Sequence, residues 1–161
     1  MEKKQPKLVI KSEYNYLYEF LDRNGVTTFI LLVLLIISIK ANLILTYLII
    51  VAVYIAFIIL STIYNKLQYN ANVYKFYDDK IIYTNSFINK ESKRIKFEDI
   101  KEVRVNQIFL QIPFKLGTIV ISTNSGKFLD NGILIFGVKN INETYQKIED
   151  IIEEWQKQQS K

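Results

Sequence analysis

From Val26 to Tyr64 the chain reads VTTFILLVLLIISIKANLILTYLIIVAVYIAFIILSTIY, and Lys40 is the only charge in that stretch. A block this long leaves a 161-residue chain no polar face there to turn toward water, so it reads as a membrane anchor. A single helix over it would measure roughly 58 Å at about 1.5 Å per residue, nearly twice the thickness of a hydrocarbon core. Two helices fit better, over residues 25–65 with a turn near 40–42. Lys40, Ala41 and Asn42 make the natural turn, since a charge and an amide are costly in lipid and comfortable at its edge. Asn24 is the expected N-cap of the first helix, with Gly25 following. Its apolar run, Val26–Ile39, is short at about 21 Å and must borrow neighbouring residues or thin the bilayer. Leu43–Tyr64 is long enough to span outright. Hydroxyls within the block (Thr27, Thr28, Ser38, Thr46, Ser61, Thr62) are expected mostly to bond back to their own helices.

Charge sets the expected orientation. Lys3, Lys4, Lys7 and Lys11 precede the block, and Lys66, Lys75 and Lys80 follow it, so both termini should be cytoplasmic and the turn outside. The net charge of +5 is uneven, with twelve basic against seven acidic residues between Lys66 and Asn140. A secretory signal peptide does not fit: the run starts late, continues too long and lacks a small-x-small cleavage site. Residues 1–24 form an arm in which Tyr14, Tyr16, Tyr18 and Phe20 suit the headgroup level. The chain has no cysteine and no histidine. That removes disulfides, thiolate and imidazole metal sites, Cys and Ser–His nucleophiles, and histidine relays together. No cofactor is expected, and no enzyme.

Beyond Tyr69 the pattern changes to short alternating strands. Val73–Tyr77 and Ile81–Thr84 flank a turn at Asp78-Asp79-Lys80. Ile95 and Phe97 alternate with Arg94 and Lys96, and Val103 and Val105 with Glu102, Arg104 and Asn106. After a break at Ile108–Leu116 come Thr118–Thr123, Phe128-Leu129 and Ile133–Phe136. These are seven strands, the pattern of a sandwich or barrel. Asn140 and Glu143 look like the cap and third position of a helix start. Ile141, Tyr145, Ile148, Ile152 and Trp155 then make one apolar face that must pack on the strands. The tail, residues 158–161, is expected to fray. The fold class is therefore an α+β membrane protein: an N-terminal transmembrane helical hairpin, then a seven-stranded β-sandwich or barrel over residues 69–157 capped by a C-terminal α-helix.

That order of elements, and the stretch IKFEDIKEVRVNQIFLQIPFKLGTIVISTNSG from Ile95 to Gly126, resemble the bacterial pleckstrin-homology (PH) domain membrane proteins, in which two transmembrane helices precede a PH-like domain. The matching positions are Ile95/Phe97, Ile100, Val103/Val105, Gln107, Leu110, Phe114, Gly117-Thr118 and Gly126. The family often carries an arginine before Leu-Phe-Gly in the link, and Gln111–Gly117 has none. A contact made through that arginine cannot be carried over. The resemblance implies a fold and assigns no catalytic residue.

Two groups of residues are candidate contacts with a membrane or a partner. The first is basic: Lys90, Lys93, Arg94, Lys96, Lys101 and Arg104. On an anionic leaflet each such residue would contribute about 1 kcal/mol. The plainer reading is a solvated face, since Glu91, Glu98, Asp99 and Glu102 are interleaved. A phosphoinositide pocket of the eukaryotic kind is disfavoured by Asp78 and Asp79 in the first hairpin. The second group is the apolar link, Ile108, Phe109, Leu110, Ile112 and Phe114 with Leu116. It either touches a membrane or partner or closes one end of the barrel. Nucleic acid is not an expected partner, for no aromatic strand motif is interleaved with basic residues. Glu149 and Glu153 read as solubilising charges rather than an acid–base pair. Two functions follow: a membrane-anchored interaction or scaffold module on the cytoplasmic face of the bacterial cell membrane, binding a protein partner or itself, or, by resemblance alone, immunity to antimicrobial peptides such as bacteriocins.

Overall fold

The computed structural model describes residues 5–88, 90–123 and 132–159. Two compact units emerge, one of residues 15–67 and one of residues 1–14 with 68–161.

The first unit is a helical pair. Helix α1 runs Tyr16–Lys40 and α2 runs Ile44–Ala71. Both are long and apolar enough to cross a bilayer, which suggests membrane association. The turn lies where the sequence reading places it, with Asn42 in the left-handed region at φ 57°. The start of α1 differs. Asn15, not Asn24, is its N-cap: the backbone there is extended and the side chain accepts a 3.0 Å bond from the Tyr18 amide. A helix from Tyr16 is about 37 Å long, so its backbone is not short even though its apolar run is.

The helices meet along a seam in which each turn offers one contact position. Thr28, Leu31, Leu35 and Ser38 of α1, and Tyr47, Val51, Tyr54, Ile58 and Ser61 of α2, are among the half-buried positions, at alternating three- and four-residue spacing. Flanking apolar side chains such as Phe29, Leu45 and Leu60 are exposed. Three hydroxyl bonds cross or line the seam. The Tyr54 hydroxyl lies 3.0 Å from Thr28 Oγ1 and donates at 3.3 Å to the Asn24 carbonyl, while Tyr47 donates to Leu31 at 3.1 Å. Ser61 bonds back to Ile58 of its own helix, as expected, whereas Thr28 pairs across. At the open end Lys66 stands over the Tyr16 ring at 5.1 Å.

The second unit holds two antiparallel sheets. The four-stranded sheet has the order β1 (Leu8–Lys11), β2 (Asn72–Phe76), β3 (Lys80–Asn85), β4 (Glu91–Lys96). The three-stranded sheet has β5 (Ile100–Asn106), β6 (Leu116–Thr123), β7 (Ile133–Lys139). Helix α3 (Ile141–Gln159) packs against β5, β6 and β7.

Seven strands are thus present among the described residues, but not the seven the sequence suggests. The expected strand at Phe128-Leu129 lies outside the described residues. One strand comes instead from the N-terminal arm, where β1 pairs with β2 in the register Leu8↔Phe76 to Lys11↔Val73. The helical pair is therefore inserted, in sequence, between two neighbouring strands of one sheet. Further contacts fasten the arm to the rest of this unit. Lys7 Nζ reaches Glu154 at 3.1 Å and Asp78 at 3.6 Å, and the hydrogen bond to Glu154 raises its pKa. The Glu13 amide donates to the Gly137 carbonyl at 2.9 Å.

The core lies between the sheets and α3. Tyr74, Phe76, Ile81, Ile119, Ile121, Ile135 and Ile148 are all but fully buried in it. The apolar stripe of α3 behaves as its spacing predicts: Ile141 and Ile148 are buried, and Tyr145, Ile152 and Trp155 pack on the same core. Trp155 meets Phe97 edge-on with ring centres 6.0 Å apart. The start of α3 departs from the expected capping box. Asn140 takes a left-handed φ of 48°, and Glu143 pairs forward with Lys147 at 2.6 Å.

Candidate functional site

Two surfaces of the domain carry chemistry, and both are set by how the strands connect. The first is the link between β5 and β6, folded as a short 3₁₀ helix over Phe109–Phe114. The Gln107 side chain donates to the Leu116 carbonyl at 2.6 Å, closing the base of the link. The Ile108 amide donates to the Gln111 side chain at 3.2 Å, and Gln111 is itself buried. Lys115 ends the helix in the left-handed region at φ 54°, and its carbonyl accepts from the Asn140 amide at 3.1 Å.

These braces divide the apolar residues of the link. Leu116 is buried and Leu110 and Phe114 are half-buried, so part of the link does close this end of the core. Ile108, Phe109 and Ile112 point outward, and Phe109 is 87% exposed. A phenylalanine so open on a hydrogen-bonded scaffold gains nothing for folding. Beside it Gln107, Ile112, Lys115 and residues 140–143 line a shallow, open cavity of about 380 Å³.

The second surface is basic, and the structure redraws it. The six basic residues singled out from the sequence are divided between the two sheets. Lys90, Lys93, Arg94 and Lys96 lie in or beside β4 of one sheet, and Lys101 and Arg104 lie on β5 of the other. Lys93 shares the inward side of β4 with buried Ile95, and its ammonium donates to the Gly132 carbonyl at 2.9 Å. Arg104 sits 3.4 Å from Glu102. Arg94 and Lys96 instead join residues that sequence spacing does not connect to them. The register sets Arg94 beside Ile82, Ile82 beside Lys75, and Lys75 beside Val9; Lys96 faces Lys80. The outer face of the four-stranded sheet is thus built from all four strands.

The acidic residues of α3 are engaged locally. Glu149 accepts a short hydrogen bond from the Tyr145 hydroxyl, which raises the phenol's pKa. Glu153 pairs with Lys157 at 3.3 Å, and Lys147 holds the Glu143 carboxyl below its usual pKa. Among the described residues no group of three or more acidic side chains comes together to hold a metal ion.

Two long helices, two antiparallel sheets and a closing helix agree with the one comparison that finds a match. The family model described as "Bacterial PH domain" matches residues 24–152, from inside α1 to inside α3. The chain belongs to the bacterial PH domain family. No curated protein and no solved structure matches it. The matched range of this bacterial PH domain takes in the later part of α1 and all of α2, and leaves β1 outside it. A strand whose partner lies beyond the whole helical insertion had no local signal by which the sequence could announce it.

Proposed function

We propose that this chain is a membrane-anchored PH-like interaction module, held at the cytoplasmic face of a bacterial cell membrane by α1 and α2, which binds a protein partner through the exposed side of the Ile108–Ile112 link. The observation that carries the reading is Phe109, 87% exposed on a link braced by Gln107, Gln111 and Lys115. Ile108 and Ile112 flank it at 46% and 53% exposure. A rigid aromatic anchor with aliphatic neighbours is the composition of an interface hot spot. The family membership supports binding as the class of activity. So does a chain without cysteine or histidine, which leaves little with which to build a nucleophile or a relay.

A photoreactive residue at position 109 in native membranes tests the reading. One recurring protein adduct, lost when Ile112 is changed to Asp, is the expected result. An adduct pattern of lipid alone, or a protein adduct indifferent to Ile112→Asp, overturns it. Protection against antimicrobial peptides rests on the family resemblance alone. An unchanged inhibitory concentration in a sensitive bacterium expressing the chain removes it.

A further inference from the structure

We propose that the outer face of the four-stranded sheet docks on an anionic bilayer surface. In an antiparallel sheet, residues directly opposite in register lie on the same side. Tyr74, Phe76, Ile81 and Ile95 face the core, so their strand neighbours face out. The outward positions form two rows and a corner. One row is Arg94, Ile82, Lys75 and Val9; the next is Ser92, Thr84, Val73 and Lys11; Lys96 and Lys80 make the corner.

No outward register position in these rows is acidic. Asp79 and Glu98, at the turns, pair with Lys80 and Lys96 at 3.2 and 2.8 Å and mute that corner. Lys11, Lys75 and Arg94 make no ion pair among the described residues. Between these charges lie Val9, 44% exposed, and half-buried Val73 and Ile82.

The mixture selects the occupant. Fixed positive charge of one sign, with aliphatic side chains between, suits the headgroup layer of an anionic bilayer, where charge and apolar contact are available together. Connectivity favours the same occupant. β1 leads into α1 and β2 follows α2, so the sheet is covalently tied to both apolar helices. The proposal rests on the reading of those helices as membrane spans. A tether of this kind raises the effective concentration of bilayer around the face without any added affinity.

The cysteine-free chain allows a clean test. Ser92→Cys, an exposed position in the second row, carries a fluorophore, and the full chain is placed in nanodiscs containing a lipid with a nitroxide on its headgroup. Quenching should rise about twofold when roughly 30 mol % anionic lipid replaces neutral lipid. It should return to the neutral level at about 0.5 M salt, where the Debye length shrinks to a few ångströms. The Lys11→Glu, Lys75→Glu, Arg94→Glu triple variant should lose the rise while keeping its melting temperature. Lys101→Glu, on the other sheet, should keep it. Equal quenching in neutral and anionic discs, or a rise that survives the triple variant, overturns the proposal and leaves the face to an acidic protein. A chain that never enters the discs overturns the membrane-span reading, and the docking face falls with it. A chain that enters but quenches equally overturns the docking face alone.

Discussion

Ile10 and Tyr74 face each other in register, both buried, although the whole helical pair separates them in sequence. The arm before the apolar block is thus part of the core. Ile10→Ala should cost about 2–4 kcal/mol through the cavity it leaves. Val9→Ala, one residue earlier and exposed, should cost less than about 0.5 kcal/mol. Thermal melting of the detergent-solubilised chain separates the two, and equal effects would mean that β1 is not packed as described.

Gly137 has a φ of +60°, and a side chain there would bring a Cβ to 2.6 Å from the Glu13 carbonyl oxygen. Gly137→Ala should therefore destabilise by about 1–3 kcal/mol, from left-handed strain plus a backbone clash. Proteolysis near residues 5–14 should become faster in the variant, because Glu13 is hydrogen-bonded to Gly137. An unchanged melting temperature would contradict the close approach.

Burial pushes the Tyr74 phenol above its ordinary pKa, and its hydroxyl donates to the Leu134 carbonyl at 2.8 Å. The folded state therefore favours the neutral phenol. Its contribution to stability is complete below the unfolded value of about 10 and is lost as pH rises beyond it. Tyr74→Phe should lose about 1 kcal/mol at neutral pH and show a shallower decline of melting temperature above about pH 10. Parallel alkaline declines in the two proteins would count against the assignment.

How much the sequence reveals depends on the distance between partners. The α3 stripe from Ile141 to Trp155 and the turn at Lys40–Asn42 were legible because their signals are local: spacing along one helix, and a charge in an apolar run. The true cap at Asn15 was hidden by Glu19, Asp22 and Arg23, which make the first turns of α1 look unlike the rest of it. Leu8-Val9-Ile10 shows no alternation, so β1 was invisible without its partner. The apolar link was legible as a group, but only the hydrogen bonds of Gln107 and Gln111 decide which of its residues face out. Spacing along the chain groups the basic residues by sequence, whereas Arg94 has its neighbours across the sheet.

The cross-helix pairs Thr28–Tyr54 and Tyr16–Lys66 set the register of the hairpin. That register places Asp22 and Arg23 of α1 level with the apolar stretch of α2 near Ile59 and Leu60, so the apolar lengths of the two helices do not match. Replacing both residues by Leu should move the bilayer of greatest thermal stability toward longer acyl chains, since each added turn spans about 5 Å. An identical optimum for the wild type and the double variant would show that α1 does not limit the fit.

In the proposed function α1 and α2 hold the domain at the cytoplasmic face of a membrane. With no cysteine in the chain, Ala41→Cys at the turn and Gln158→Cys near the end of α3 report on the two sides. In intact cells a membrane-impermeant maleimide should label Ala41→Cys, and should reach Gln158→Cys only after permeabilisation, with both proteins remaining in the membrane at alkaline pH. Labelling of Gln158→Cys in intact cells, or release of the chain by alkaline carbonate, would contradict it.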